Sequence, residues 1–189
     1  MEKFKLAESI RGERIVLLKR AHDHDEAMWQ AIEESRQFIR EYLFWVDTTN
    51  SYQDVVKTTD IFAEKWEKDN EWGYDIYSVP EHQFLGCIGV HLIDFKNCSA
   101  EIGYWLRVSE QHKGYMAEAV KIVEEKMFEN GIHRLVIKCD TNNRNSANVA
   151  IRAGYHLESI AKEALYHYTG LHDEKIYVKL SPYPAKDFA

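Results

Sequence analysis

Cysteine is scarce in this 189-residue chain: Cys87, Cys98 and Cys139 are all it has, with no CxxC spacing. Three scattered cysteines form neither a disulfide framework nor a zinc site, and they suit a reducing, cytosolic setting. Proline is as rare. Pro80, Pro182 and Pro184 leave the middle of the chain free of breakers, and Ser181-Pro182-Tyr183-Pro184 reads as an exit from the fold. No apolar run reaches the ~18 residues of a membrane span, and Met1-Glu2-Lys3-Phe4-Lys5-Leu6 has no apolar signal core. Positive charge is in deficit. A net charge of −7 argues against a general nucleic-acid binder. It leaves room for an anionic ligand held by one helix N-terminus and a few cations.

What is present is a foldable chain, 45% hydrophobic, without repeats or linkers, which predicts one domain over residues 1–189. Arg14 to Leu18 reads as a first strand, His22 to Arg36 as a helix, and Phe38 to Trp45 as a second short helix. Ser51 to Lys68 reads as a longer helix with Ile61, Phe62 and Trp66 among its apolar positions. Trp72 to Ser78, Phe84 to Asp94 and Ser99 to Val108 read as strands. Met116, Val120, Val123 and Met127 share one face of a helix that Asn130-Gly131 ends. Then follow a strand from Arg134 to Cys139, a helix from Asn145 to Ala153, and strands His156 to Ala161, Leu165 to Tyr168 and Lys175 to Leu180. This order predicts a mixed α/β sheet with helices on both faces.

Gln111-His112-Lys113-Gly114-Tyr115-Met116-Ala117 lies between a strand and a helix. The first amides of a helix lack partners and its dipole favours negative charge, so such a turn can hold a phosphate. Neither GxxxxGK[ST] nor GxGxxG is present. The stretch instead resembles the Gln/Arg-x-x-Gly-x-Gly/Ala pyrophosphate loop of the GNAT superfamily of N-acetyltransferases, with Met116 at the last small position. Asn143-Arg144-Asn145-Ser146 with Ala150-Ile151-Arg152-Ala153-Gly154-Tyr155 resembles that superfamily's segment after the fifth strand. Ala100-Glu101-Ile102-Gly103-Tyr104-Trp105-Leu106 resembles the fourth strand of its RimJ/RimL branch. The resemblance runs from about residue 12 to about residue 180.

The resemblance implies a GNAT fold: a mixed, mostly antiparallel sheet of about seven strands, splayed between the fourth and fifth. It implies acetyl-CoA as cofactor, with CoA as product. Amides from Gln111 through His112, Lys113, Gly114, Tyr115, Met116 and Ala117 would hold the pyrophosphate, and Lys113 would add charge. Leu106, Arg107 and Val108 would offer backbone groups to the pantetheine, Val108 N–H being the oxyanion donor. Asn143 would bond the same arm. Ser146 would protonate the leaving thiolate, although a Ser at a helix start is also a good N-cap.

An amine attacks a thioester only when neutral. At pH 7 deprotonation costs about 1.4 kcal/mol for an α-amine of pKa near 8 and about 4.6 kcal/mol for a lysine near 10.4. A carboxylate working through water can take that proton. Glu101 is the first candidate, since the superfamily places a Glu at the start of this strand; an edge carboxylate paired with Lys or Arg is the alternative. Glu163 is the reserve. The resemblance implies a Glu about nineteen residues beyond the serine, where Leu165 stands, and a two-residue offset keeps the strand face.

Tyr42 and Trp45 line an acceptor pocket or pack in the core, and Tyr168 marks a hairpin tip near the acceptor or a plain turn. His22-Asp23-His24-Asp25 reads as an acidic helix start rather than a metal site, since residues two apart on a helix diverge. Cys139 reads as a buried structural thiol rather than a nucleophile. The resemblance implies direct transfer to a protein N-terminal amine in the cytoplasm, by a monomer or homodimer. A small amine as acceptor and a non-catalytic acyl-CoA-binding module are the alternatives.

Overall fold

The computed structural model describes residues 3–183; Met1, Glu2 and the tail from Pro184 lie outside the described residues. Eight strands form one sheet in the order β1-β2-β3-β4-β5-β6-β8-β7. They are β1 Ser9–Arg11, β2 Ile15–Lys19, β3 Trp72–Ser78, β4 Phe84–Asp94, β5 Ser99–Leu106, β6 Arg134–Asp140, β7 His156–His167 and β8 Gly170–Leu180. The helices are α1 Asp25–Arg40, α2 Tyr52–Glu67, α3 Tyr115–Glu129 and α4 Arg144–Arg152. The eighth strand, beyond the seven expected, is β1, a three-residue edge paired with β2.

All pairings are antiparallel except β5 with β6, which run parallel and pair only from Ser99–Arg134 to Glu101–Val136. Beyond Glu101 the two strands part, while β5 stays bonded to β4 as far as Leu106. The sheet is therefore open along one side of residues 102–106.

Alternating side chains give the sheet two faces. Ile88, Val90, Ile102, Leu135 and Ile137 bury with Met116, Val120, Val123 and Met127 of α3. On the other face Tyr77, Phe84 and Cys87 bury with Met28, Ile32 and Ile39 of α1 and Val55 of α2, and Trp105 packs against them. At the end of α3, Gly131 takes φ 95° and its N–H reaches Phe128 O at 3.0 Å, the left-handed stop that Asn130-Gly131 predicts.

Three expectations need correction. The run Phe38 to Trp45 is not a separate helix: α1 continues to Arg40, and Leu43, extended at φ −131°, breaks the chain before a 3-10 turn at Phe44–Thr48. Ile61 does not face the core but is 51% exposed, since α2 buries Val55, Thr59 and Trp66. His156 to Ala161 and Leu165 to His167 are parts of one strand, β7, broken in register between Ala161 and Leu165, and Tyr168 falls in the turn after it. Among the described residues no helix is long and apolar enough to cross a membrane.

Candidate active site

A cleft of about 500 Å³ follows the gap between β5 and β6. Gln111, His112, Gly114, Met116 and Ala117 line one end, and Asn143, Ser146 and Val149 of the α4 region line its side. Phe38, Tyr42, Phe44 and Trp45 reach it from the opposite face of the sheet. The cleft thus passes between the two helical layers.

The loop before α3 turns on two left-handed residues, His112 at φ 63° and Gly114 at φ 85°. Gly114 is the N-cap and no side chain caps the helix. The first-turn amides of Tyr115, Met116 and Ala117 are therefore open to an anion. Met116, the residue that departs from the small-residue pattern, buries its side chain in the core at 3% exposure. Its bulk is spent on packing. Lys113 pairs with Glu110 at 2.9 Å, and Tyr115 carries the Arg14 guanidinium 5.1 Å from its ring centroid; neither side chain lines the cleft.

Along β5, Arg107 N–H donates to Leu85 O at 2.8 Å, toward β4. By strand alternation the backbone groups of Leu106 and Tyr104 turn toward the gap. The Arg107 side chain is bound to Glu34 at 2.6 Å, away from the cleft. Val108 does not match its expected role. It sits in a 3-10 turn and its N–H donates to Ser35 Oγ at 2.9 Å.

At the start of α4 the cap is Asn143, not Ser146: Asn143 Oδ1 accepts the Ser146 N–H at 3.0 Å. Asn143 Nδ2 has no partner among the described residues. Ser146 Oγ is 3.2 Å from the Tyr104 hydroxyl, which also reaches Ser146 O at 3.2 Å. Burial pushes the Tyr104 phenol up, against the Ser146 hydrogen bond. Cys139 lines the cleft beside them, its thiol also pushed up by burial, as a structural cysteine would be.

Glu101 lies on the opposite face, with Oε1 3.3 Å from His91 Nε2 and Oε2 2.8 Å from Lys138 Nζ. Burial works against its charge, but these two partners win and hold the carboxyl below its ordinary range. Across the gap burial pushes Glu174 up, and the Glu101 charge adds to it while Lys138 opposes. His91 and Lys138 carry no motif, and Tyr104, although inside the fourth-strand motif, has no role singled out by it. Their only signal in the sequence is polarity inside otherwise apolar strands.

Glu163 is not brought to the cleft. It sits exposed in the β7 bulge at φ 51°, its N–H bound to Asp173 at 3.0 Å. The bulge defeats the two-residue argument, which needs unbroken alternation. Tyr42 and Trp45 do line the cleft. The Tyr42 phenol is pushed up to about 12 by burial and by Glu41 beside it. Tyr168 is 59% exposed at the β7–β8 turn under the Arg40 guanidinium, outside the lining; Tyr166 and His167 line it instead. His22 and His24 serve separate carboxylates, Asp25 and Asp75, each at 2.8 Å.

A splayed sheet with an uncapped helix N-terminus at one end of the gap matches what the loop and strand motifs imply. The family model described as Acetyltransferase (GNAT) domain matches residues 14–156. The chain belongs to that family. It is thus a GNAT acetyltransferase, and its relatives bear on the site. The ribosomal-protein-serine acetyltransferase of Escherichia coli (strain K12) is 28% identical over 161 residues, 85% of this chain and 89% of that protein. The solved RimL ribosomal alpha-N-protein acetyltransferase in complex with coenzyme A superposes with TM-score 0.87 at 26% identity, covering 92% of this chain and 98% of that one. The microcin self-immunity acetyltransferase MccE, in complex with acetyl-CoA and AMP, gives 0.85 at 25% identity, covering 89% and 93%.

Proposed function

We propose that this GNAT enzyme transfers the acetyl group of acetyl-CoA to the N-terminal α-amine of a ribosomal protein, in a ternary complex in the cytoplasm. The observation that carries the reading is the cleft itself. One continuous gap joins the uncapped N-terminus of α3, the open edge of β5 and the Ser146–Tyr104 pair, then opens toward α1. These elements fit acetyl-CoA: free amides for a pyrophosphate, unpaired strand groups for its amide-bearing arm, and a hydroxyl at the far end.

Acetyl-CoA, when bound, supplies the activated acetyl group. Amides of residues 115–117 orient its phosphates, and Leu106 backbone groups orient the arm. Ser146 Oγ holds a proton for the departing sulfur, and the Tyr104 hydroxyl, at 3.2 Å, replaces that proton. The acceptor enters from the α1 side, past Tyr42, Phe44 and Trp45. An α-amine suits this site because its deprotonation costs about 3 kcal/mol less than that of a lysine.

The likeness to the ribosomal-protein-serine acetyltransferase supports the protein acceptor. A second reading, a small amine, draws on the likeness to MccE and on a further cavity of about 450 Å³ beside the cleft. The deciding experiment is acetyl transfer to a panel of N-terminal ribosomal peptides and small amines, with acetylated product read by mass spectrometry. Peptide products with kcat/KM above those of every small amine are expected. Preference for a small amine, or no product at all, would overturn the proposal.

A further inference from the structure

We propose that His91 is the proton acceptor of the transfer and that Glu101 acts through it as a positioning residue. This rests on the preceding reading only in requiring an amine acceptor, of either kind.

His91 lines both the cleft and the 450 Å³ cavity beneath α1 and α2. It therefore stands where the two spaces meet, on the face of the sheet that α1 and α2 cover. The other residues shared by the two spaces are Leu43, Trp45, Gly103, Tyr104 and Trp105. Apart from Tyr104, whose phenol burial pushes up, none has a titratable side chain.

Geometry prepares His91 for the role. It is directly opposite Glu101 across the β4–β5 pair, and Glu101 Oε1 takes Nε2 at 3.3 Å. A carboxylate on Nε2 keeps the proton on that nitrogen and leaves the Nδ1 lone pair free. Lys138 on Oε2 keeps the carboxylate ionised. The ring rests over Gly103, where a Cβ would come within 2.9 Å of Cε1 and 3.5 Å of Nδ1. Any larger residue would displace it.

The rival bases are worse placed. Glu101 already accepts from two partners and is held below its ordinary range, after burial is overcome, so it is a weak base. His167 has both nitrogens engaged, by Thr169 Oγ1 and Arg40 O. His112 sits at the far end of the cleft, in the α3 loop.

The step balances as follows. The ammonium gives one proton to Nδ1, and the resulting imidazolium is held by Glu101. The neutral nitrogen attacks the thioester carbonyl carbon; the C–N bond forms and the C–S bond breaks. Ser146 Oγ gives its proton to the thiolate, the nitrogen's second proton returns through the Tyr104 hydroxyl to restore the serine, and the His91 proton passes to solvent. Products are amide, thiol and one released proton.

Among the described residues, the ionisable groups around His91 are Glu101 and Tyr104 on β5, Lys138 on β6, Glu174 on β8, Cys87 on β4, and Glu71 and Arg20 beside β3. Only Glu101 bonds to its ring.

The test compares kcat/KM against pH for the wild type, His91→Gln and Glu101→Gln with the best acceptor found, alongside acetyl-CoA titration and thermal melting. His91→Gln should lose roughly 10²-fold or more and lose the acid limb of the profile, with acetyl-CoA affinity intact. Glu101→Gln should keep that limb but lower kcat several-fold at an unchanged acceptor KM, because Nε2 loses the carboxylate that orients the ring. An unchanged acid limb in His91→Gln sinks the assignment. If that variant does not fold, an unchanged kcat in Glu101→Gln does the same. A wild type that acetylates no amine fails the functional reading itself; an active wild type with a limb independent of His91 fails only this inference.

Discussion

The hydroxyl of Tyr104 and Oγ of Ser146 lie 3.2 Å apart, joining the open strand β5 to the start of α4 across the cleft. This contact pins the serine hydroxyl at the side of the gap opposite Glu101 and His91. In the proposed transfer, leaving group and incoming amine would thereby be served from different faces of one sheet.

Ser146→Ala should slow single-turnover transfer by roughly 10²-fold, the usual scale for a lost proton donor, with acetyl-CoA affinity unchanged. Tyr104→Phe should lose less, since the serine retains its own proton. Rapid-quench measurement with the best acceptor checks both. Equal rates for Ser146→Ala and wild type would remove the hydroxyl from the mechanism.

Asn143→Ala should cost about 1 kcal/mol of stability through loss of the α4 cap, read from the denaturant midpoint. Asn143→Asp keeps an oxygen for the Ser146 N–H and should recover most of that loss. If both variants also weaken acetyl-CoA binding, the Nδ2 group is the part that meets the ligand.

Gly114 holds φ 85° at the N-cap of α3, and a Cβ there would sit 3.3 Å from Arg14 Nη2. Gly114→Ala should destabilise by about 1 kcal/mol and shift the first-turn amides. Calorimetric titration should show acetyl-CoA affinity falling by more than peptide affinity. An unaltered acetyl-CoA Kd would argue that the phosphates lie elsewhere.

Phe44 is 70% exposed yet lines the cleft. Phe44→Ala should leave the melting temperature within about 2 °C, as expected for a surface change within ~0.5 kcal/mol. It should raise the acceptor KM several-fold at constant acetyl-CoA KM. A rise in the acetyl-CoA KM instead would place the acceptor on another wall.

Glu101 has a folded pKa below its ordinary 4.5: burial raises it, but His91 and Lys138 lower it by more. A depressed carboxylate stabilises the fold above its unfolded pKa, and that stability is lost as pH falls through the folded value. Glu101→Gln should therefore be less stable than wild type near pH 7. The gap should close progressively below about pH 4.5, followed by urea unfolding at each pH.

How far the sequence reached depends on whether a feature is local. Trp72–Ser78 and Phe84–Asp94 are readable to the residue because a Pro80 turn bounds two apolar runs. The face of α3 follows from Met116, Val120, Val123 and Met127. Features made by contact between distant segments are hidden. His91 meets Glu101 ten residues away, and Tyr104 meets Ser146 forty-two away, through strand register and helix placement that no motif encodes. The β7 bulge is also silent in the sequence, so Glu163 looks aligned with Leu165 when its backbone has turned aside at φ 51°. The α4 cap lies one turn before Ser146. Asn143, three residues before Ser146, fills it, the N-cap to N3 spacing of a capped helix start.

The position of β8 between β6 and β7 sets the order in which the molecule can be completed. On its outer side β6 is backed by β8, and it pairs with β5 through only three residues. During synthesis β1 to β5, α1 and α2 can assemble early, but the second wall of the cleft has no backing until residues 170–180 leave the ribosome. A nascent chain paused before that point would hold the strand that carries Glu101 without a finished partner for it. Acetyl transfer would therefore begin only once the last strand has slid into the middle of its half of the sheet.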